Sequence, residues 1–413
     1  MREMKYSGIS WVGEIPKEWS VWRNKYIFKI TKDIVLPSKN YQLLSLTTTG
    51  IKEKDENDNG GKVPENYDGY QVVKENDLVM CLFDLDCSAV FSGLSPYNGM
   101  ISPAYKVLKV KKRIANEQYY RYWFNYVGSK RFYKQYSKSL RFTLNVDEFN
   151  RLFSLLPPLD EQQRIAEFLD RECGKIDGLK ADIQTQIDTL EQYKRSVITE
   201  AVTHGLNPSA PMKDSGIPWV GKTPEYWKVG RIGGLYELRN QKVSDKDFMP
   251  LSVTMKGILP QLETAAKTND GDNRKLVRVG DFAINSRSDR RGSCGISDYD
   301  GSVSLINTIL KPRNRMNAKY YNWLFHTPMF ADEFYKWGHG IVDDLWTTNW
   351  SEMKRISIPL PPIDEQQEIA DYLDNKCAAI EQIIADKKSQ IETLDGYKKS
   401  LIYEYVTGKK EVV

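Results

Sequence analysis

Apolar side chains recur at steps of three and four residues along two long stretches of the chain, from Asp160 to Thr203 and from Asp364 to Thr407. This spacing predicts long helices, each with a narrow apolar stripe and a charged outer face, as in a coiled coil. A continuous helix over the first stretch would measure roughly 65 Å. Because a narrow stripe needs a partner, we expect the two helices of one chain to pair, with pairing between two chains as the alternative. The stripe of the first stretch comprises Ile165, Phe168, Leu169, Ile176, Leu179, Ile183, Ile187, Leu190 and Val197.

The two stretches are copies of one sequence. LPPLDEQQRIAEFLD begins at Leu156, and LPPIDEQQEIADYLD begins at Leu360. A second pair of copies precedes them, MKYSGISWVGEIPKEW from Met4 and MKDSGIPWVGKTPEYW from Met212. The regions in between differ more but keep common landmarks, such as LSLTTTGI and LSVTMKGI. This pattern predicts a tandem duplication of three parts: a leading segment, a variable domain and a long helix.

The variable domains carry the patterns of mixed α/β structure. Residues Lys106–Val110 and Ser302–Leu310 predict strands, and Glu117–Tyr136 predicts a helix with many aromatic side chains. We therefore predict a mixed α+β fold, in which two α/β domains are joined by two long antiparallel helices in a pseudo-two-fold tandem repeat. The predicted divisions are 1–155 for the first domain with its leading segment, 156–206 for the first helix, 207–359 for a linker plus the second domain, and 360–413 for the second helix.

Composition argues against several classes of protein. No apolar run approaches the about 18 residues of a membrane span, and the N-terminus lacks the apolar core of a secretory signal. The five cysteines form no CxxC pair and only three histidines occur, so we expect reduced thiols, a cytoplasmic location and no metal site. The net charge of +4 permits nucleic-acid binding without arguing for it.

Sequence motifs that would indicate catalysis do not occur. The chain has neither the GxxxxGK(S/T) loop that binds nucleotide phosphates nor a GxGxxG fingerprint after a strand. The tetrad (D/N)PP(Y/F), which we would expect in an adenine methyltransferase, does not occur either, because the PP pairs are followed by Leu159 and Ile363. We therefore expect a binding protein that holds no cofactor and is not an enzyme.

A basic and aromatic cluster follows the predicted helix of the first domain. Its cations alternate with Phe132, Tyr133, Tyr136 and Phe142. On a helix followed by a loop, this mixture can lay cations along DNA phosphates and leave polar groups for base edges. The alternative is a solvated face whose cationic side chains lie along apolar surface. The candidate DNA-binding residues are Lys130, Arg131, Lys134, Lys138 and Arg141.

The second domain carries a different candidate, the arginine-rich sequence SRSDRRGS from Ser286 to Ser293. An arginine in such a loop can bind O6 and N7 of guanine with two hydrogen bonds, although Asp289 can instead pair with an arginine. The matching sequence of the first domain, CLFDLDCS, is acidic and apolar, as expected if the two domains recognise different sequences. A histidine between two glycines can also contact a base, with a surface role as its alternative. The candidates in this domain are Arg287, Arg290, Arg291 and His339.

The repeated motifs identify a family. The duplicated helix start and the duplicated SGIxWVGxxPxxW segment, with Trp11, Trp19, Trp219 and Trp227, strongly resemble the specificity subunits of Type I restriction–modification systems over essentially the full chain. The resemblance implies that each variable domain is a target-recognition domain for one half of a bipartite DNA site. It also implies that the two helices pair antiparallel and act as a spacer and a docking surface. The docking residues implied at the helix starts are Asp160, Glu161, Gln162, Gln163, Asp364, Glu365, Gln366 and Gln367.

The partners follow from the same resemblance. They are double-stranded DNA and two modification subunits, which bind S-adenosylmethionine, flip an adenine in each half-site and methylate it at N6. Two restriction subunits, which use ATP and Mg, can join this complex. Because the variable domains differ, the expected DNA site is asymmetric.

Three functional hypotheses remain. The leading one is a non-catalytic DNA-recognition subunit. The second is a structural scaffold whose variable domains bind proteins, and the third is a self-contained DNA-modifying enzyme with an unfamiliar site. Salt-sensitive, sequence-dependent binding to duplex DNA separates the first from the second. Methyl transfer by the purified chain would be needed to support the third.

Overall fold

The computed structural model describes residues 2–35, 41–54, 67, 69–261, 271–287, 290–313, 316–340 and 346–412. The chain forms two compact units. Unit 1 comprises Met1–Ile183 and Ser389–Val413, and unit 2 comprises Gln184–Lys388. Each unit therefore contains one variable domain and a segment of each long helix.

The helices include both of the long ones that the apolar spacing predicts. They are α1 (Asn24–Ile27), α2 (Glu117–Ser129), α3 (Val146–Arg151), α4 (Leu159–His204), α5 (Ile232–Leu235), α6 (Ala318–Phe325), α7 (Pro328–Lys336), α8 (Trp350–Met353) and α9 (Ile363–Val406). None of the described helices has an apolar stretch long enough for a membrane span.

Within each unit, segments of α4 and α9 lie antiparallel. In unit 1, Lys398 contacts Asp177 at 2.6 Å, and Lys180 contacts Asp395 further along the pair. In unit 2, Lys194 pairs with Glu381 in the same way. The expected pairing of the two helices of one chain is therefore present in both units.

The two units contain equivalent sheets. The strands of unit 1 are β1 (Met4–Tyr6), β2 (Glu14–Pro16), β3 (Ser20–Arg23), β4 (Phe28–Thr31), β5 (Leu44–Thr47), β6 (Gly50–Glu53), β7 (Gln71–Val73), β8 (Leu78–Met80), β9 (Ser92–Leu94), β10 (Gly99–Ile101), β11 (Lys106–Val110) and β12 (Phe153–Leu156). Those of unit 2 are β13 (Met212–Ile217), β14 (Gly221–Pro224), β15 (Lys228–Arg231), β16 (Tyr236–Leu238), β17 (Lys242–Val243), β18 (Leu251–Thr254), β19 (Gly257–Pro260), β20 (Arg274–Val277), β21 (Phe282–Asn285), β22 (Cys294–Ile296), β23 (Gly301–Val303), β24 (Asn307–Pro312) and β25 (Ser357–Leu360).

The strand orders repeat as closely as the sequence landmarks do. The central sheet has the order β4-β11-β8-β9 in unit 1 and β16-β24-β21-β22 in unit 2. The strand after each leading segment pairs with the strand that ends the variable domain, as β3 with β12 and β15 with β25. The predicted fold, mixed α/β domains with two long helices, is confirmed.

Two predicted elements differ in extent. The strand predicted over Ser302–Leu310 is interrupted between β23 and β24. The helix predicted over Glu117–Tyr136 ends at Ser129, because Arg131 has a φ of 52° and a helix cannot pass through the left-handed region. A short 3₁₀ turn, Phe132–Tyr136, follows it.

Candidate nucleic-acid interface

The basic cluster of unit 1 lies on the loop that follows α2 and packs against the loop between β8 and β9. The N–H of Leu85 donates to the carbonyl of Phe142 at 3.2 Å, and the N–H of Leu144 donates to the carbonyl of Leu82 at 2.8 Å. The guanidinium of Arg141 lies 3.3 Å from the carboxylate of Asp84. These contacts join the basic loop to the acidic and apolar loop CLFDLDCS, which is the counterpart of SRSDRRGS in the first domain.

The five candidate cations of unit 1 differ in accessibility. Lys130, Arg131, Lys138 and Arg141 are exposed. Lys134 is half-buried, and its ammonium lies 4.4 Å from the ring centroid of Phe142, so it serves partly to hold the loop. Four cations of this cluster are thus exposed to solvent, and one of them, Arg141, is paired with Asp84.

In unit 2 the corresponding loops also lie together. Thr347 forms β-bridges with Arg287 and with His339, and the N–H of His339 donates to the carbonyl of Thr347 at 3.0 Å. Two candidates from distant parts of the sequence are therefore brought onto adjacent backbone segments. The hydroxyls of Ser286 and Thr308 lie 2.9 Å apart beneath them, both buried.

The remaining arginines of this loop are exposed and partly engaged. The guanidinium of Arg291 lies 3.0 Å from the carboxylate of Asp332 and 5.3 Å from the ring of Tyr335. Arg290 is exposed and lies next to it in the same loop. Asp289, the alternative partner for an arginine of this loop, lies outside the described residues.

The starts of the long helices are anchored inside the units. The indole of Trp19 and the guanidinium of Arg2 donate to the carboxylate of Glu161. Gln162 is fully buried, accepts the N–H of Asn116 at 2.9 Å, and donates to backbone carbonyls. In this way the helix start fixes both the leading segment and the N-terminus of α2, which Asn116 caps.

Unit 2 repeats this arrangement. Glu365 accepts the indole N–H of Trp227 at 2.9 Å and the hydroxyl of Tyr226 at 3.0 Å. Gln366 is buried and accepts the N–H of Asn317, the N-cap of α6, at 2.9 Å. The central Glu-Gln pair of each repeated helix start is therefore occupied by contacts within its own unit.

The outer residues of the helix starts remain accessible. They are Asp160, Gln163, Asp364 and Gln367, and all of them are exposed. Asp160 contacts Arg164 at 3.3 Å, one turn along the helix. These outer positions are therefore accessible, whereas Glu161, Gln162 and Gln366 are buried.

In each variable domain, one tyrosine bonds to the end of a long helix. The sequence patterns did not indicate a functional role for these tyrosines. The hydroxyl of Tyr119 donates to the carbonyl of Val406 at 3.0 Å, and that of Tyr320 donates to the carbonyl of Val202 at 2.8 Å. Burial raises the pKa of both tyrosines, so the hydroxyls remain protonated donors. A sequence feature that could have indicated this role is the Tyr-Tyr pair that occurs in both domains, Tyr119-Tyr120 and Tyr320-Tyr321.

The described residues hold no group of three or more histidine, cysteine or acidic side chains suited to a metal ion. The buried thiol of Cys294 lies 3.7 Å from Nε2 of His326. Burial raises the pKa of this thiol and lowers that of the imidazole, so both groups are neutral in the folded protein. The pair resembles a packed core contact rather than an activated nucleophile.

Comparisons with known proteins agree with this arrangement. A family model, the Type I restriction modification DNA specificity domain, matches residues 224–393. That range holds most of the variable domain of unit 2 and the greater part of α9.

Two curated relatives come from Methanocaldococcus jannaschii. The putative Type I restriction enzyme MjaX specificity subunit is 23% identical over 432 aligned residues, covering 97% of this chain and 96% of the relative. The Type I restriction enzyme MjaVIII specificity subunit is 24% identical over 361 residues, covering 83% and 80%. The resemblance that the sequence predicts is therefore confirmed: the chain is similar to such specificity subunits over nearly all of its length.

Solved structures share the fold. A chain from a study of complex assembly and conformational transition in the Type I restriction–modification system has a TM-score of 0.71 at 14% identity, covering 96% of this chain and 99% of that one. The HsdS subunit from Thermoanaerobacter tengcongensis has a TM-score of 0.52 at 15% identity, covering 96% and 98%.

Proposed function

We propose that this chain is the specificity subunit of a Type I restriction–modification system, a non-catalytic protein that recognises DNA sequence on behalf of other subunits. Each variable domain recognises one half of a bipartite DNA site. The family match over residues 224–393 and the similarity to specificity subunits along the chain support this assignment. The scaffold hypothesis is not favoured, because the matching domain is a DNA specificity domain.

The observation that supports the proposal is that both units contain the same pair of loops, and that these loops carry different side chains in the two units. Unit 1 presents Lys138 and Arg141 beside the acidic loop that contains Asp84. Unit 2 presents Arg287 and His339 on segments that Thr347 joins. One skeleton with two sets of side chains is what recognition of two unlike half-sites requires, so we expect an asymmetric target.

The proposal assigns the contacts by chemistry. The exposed cations of unit 1 neutralise phosphates and position the domain, whereas the arginines and His339 of unit 2 contact base edges. The full set assigned to DNA is Lys130, Arg131, Lys134, Lys138, Arg141, Arg287, Arg290, Arg291 and His339.

Catalysis belongs to partners in this proposal. Two modification subunits would dock on the long helices, using the exposed positions Asp160, Gln163, Asp364 and Gln367, and would hold S-adenosylmethionine. Two restriction subunits that use ATP and Mg can join them, in the cytoplasm where the DNA lies. Delegation of base flipping and methyl transfer accounts for a recognition chain without an adenine methyltransferase motif.

The test is a map of N6-methyladenine in a methylation-free host that expresses this chain with its modification subunit. We expect one split motif with two unlike halves and a fixed gap. Expression of the modification subunit alone is the control and should leave the DNA unmethylated. A soluble, assembled complex that methylates nothing, or a palindromic motif, would contradict the proposal.

A further inference from the structure

One apolar side chain in the basic loop of unit 1 projects fully into solvent. Leu140 is 101% exposed, whereas Met255, the next most exposed large apolar residue of the described chain, is 71% exposed. Single exposed leucines are common on protein surfaces, but they usually retain partial contact with their surroundings. The side chain of Leu140 does not pack against its own domain, so its truncation would remove no packing contacts.

The turn that carries Leu140 is closely held. The N–H of Phe142 donates to the carbonyl of Ser139 at 3.1 Å and closes a four-residue turn with Leu140 and Arg141 at its tip. The hydroxyl of Ser137 donates to the carbonyl of Thr143 at 2.8 Å, which joins the two sides of the loop. These bonds hold the backbone at the tip of the turn, so that the side chain of Leu140 extends away from the domain.

The base of the turn is held in a conformation that costs energy. Phe142 has a φ of 45°, a region that bulky residues rarely adopt. Its ring lies under the ammonium of Lys134, and its carbonyl accepts the N–H of Leu85. A disfavoured backbone that neighbouring contacts maintain is typical of a loop shaped for binding.

The surroundings of Leu140 identify the partner. Lys138 and Arg141 flank it and are exposed, and the guanidinium of Arg141 lies 3.3 Å from the carboxylate of Asp84, a pair that a phosphate would have to displace. A protein partner would be expected to meet a wider apolar patch. Cations on either side of a single projecting aliphatic chain instead suit a DNA duplex, where apolar residues insert between base pairs while cations bind the backbone.

We propose that Leu140 is a wedge that inserts between two adjacent base pairs of the first half-site and kinks the duplex there. The proposal rests on the proposed DNA recognition. Lys138 and Arg141 hold the two flanking phosphates, and the leucine side chain replaces the base stacking that the kink removes. The half-site should therefore favour a flexible pyrimidine–purine step at that position, without a hydrogen bond to either base.

The experiment uses the complex of this chain with its modification subunits and duplexes that carry the mapped target. Each adenine or cytosine of the first half-site, on either strand, is replaced in turn by 2-aminopurine or pyrrolocytosine, which brighten when unstacked. The adenine that becomes methylated and the base pairs on either side of it are left out, because base flipping alone would unstack them. We expect the wild-type complex to brighten one base step and Leu140→Ala to leave that step as dim as in free DNA.

Leu140→Ala should change the affinity of the complex for DNA less than it changes the stacking of the base step. Leu140→Ala loses the apolar contact but is also spared the unstacking of a base step, so we expect the Kd to rise by no more than about tenfold. Leu140→Met should retain the signal because its side chain is long and apolar. Leu259→Ala, which truncates a partly exposed leucine of unit 2, is the matched control and should behave as wild type.

The outcomes separate the wedge from DNA recognition itself. A wild-type complex that binds and methylates its target but brightens no step of the first half-site overturns the wedge and leaves the proposed function standing. Brightening that persists in Leu140→Ala overturns it as well. A wild-type complex that does not bind the duplex contradicts the proposed function, and the wedge falls with it.

Discussion

The indole Nε1 of Trp19 donates a hydrogen bond of 2.9 Å to Oε2 of Glu161, and both side chains are buried in unit 1. Trp227 and Glu365 repeat the bond at the same 2.9 Å in unit 2. Each tryptophan closes a leading segment, and each glutamate lies in the first turn of a long helix. The two motifs that are duplicated along the sequence therefore meet in the folded protein.

Replacing Glu161 with Ala should destabilise unit 1. The change leaves the buried Trp19 indole without an acceptor and removes one of the two carboxylates that Arg2 contacts, a loss of about 1–3 kcal/mol. Glu161→Gln should cost less, because an amide oxygen still accepts from the indole. Hydrogen exchange measured by mass spectrometry should show faster exchange in the leading segment and in the start of α4. Glu167→Ala, at an exposed position of the same helix, is the control.

The matching change in unit 2 makes that prediction specific. Glu365→Ala should accelerate exchange around Trp227 and leave the leading segment of unit 1 unchanged. Equal acceleration in both units after either change would show that the bond is not a local anchor.

The helix starts also show what the sequence could not distinguish. The apolar periodicity of the sequence located both long helices, because side chains on one face of a helix recur at a fixed spacing. The repeated Glu-Gln pair was assigned to docking, whereas Gln162 and Gln366 are buried against their own variable domains. Two copies that retain the same residue do not reveal whether an internal contact or an external partner requires it.

The candidate interface could be predicted only in part, because it depends on contacts between segments that are distant in the sequence. Basic residues in loops were visible as composition, but the bridges from Thr347 to Arg287 and His339 join segments that no local pattern relates. The end of α2 was missed because Arg131 adopts a left-handed conformation, which is usually associated with Gly, Asn or Asp. Loop geometry of this kind depends on tertiary contacts.

Replacing Lys138 with Ala should weaken DNA binding without altering the sequence recognised. A cation that neutralises one phosphate contributes about 0.9 to the slope of log K against log salt, so the slope should become shallower by about that amount. Fluorescence anisotropy at several salt concentrations gives the slope. Lys17→Ala, which removes an exposed lysine paired with Glu3, should leave it unchanged. An altered methylation motif would show that Lys138 contacts a base instead.

Replacing Arg290 and Arg291 together with Ala should relax the second half-site only. An arginine with two hydrogen bonds to guanine contributes about 1–3 kcal/mol of discrimination, so its removal should let other bases occupy that position. The methylation map of the variant complex measures this directly. Arg278→Ala, which removes an arginine paired with Asp300, is the control. Relaxation of both half-sites, or a uniform loss of methylation with an unchanged motif, would contradict independent recognition by the two domains.

Asp77 should contribute to the pH dependence of the stability of unit 1. Asp77 precedes β8 and Asp281 precedes the equivalent strand β21, and the guanidinium of Arg239 donates to both oxygens of Asp281. Burial raises the pKa of Asp77 above its ordinary value of 3.8. The folded state then holds the proton more tightly than the unfolded chain does. The stability that Asp77 contributes to unit 1 should therefore be lost as the pH rises from 3.8 through the raised value.

An arginine at the position equivalent to Arg239 should remove this effect. Thr31 lies there, because it pairs with Val107 as Arg239 bonds to Ile309. In Thr31→Arg the guanidinium would favour the charged form of Asp77 and lower its pKa, so the stability that Asp77 contributes should no longer be lost with rising pH. Calorimetric unfolding at about pH 4 and about pH 7 measures the difference. Asp77→Asn should also remove this contribution. If the double variant Thr31→Arg/Asp77→Asn differed in stability from Asp77→Asn at neutral pH, the arginine would be acting through another group.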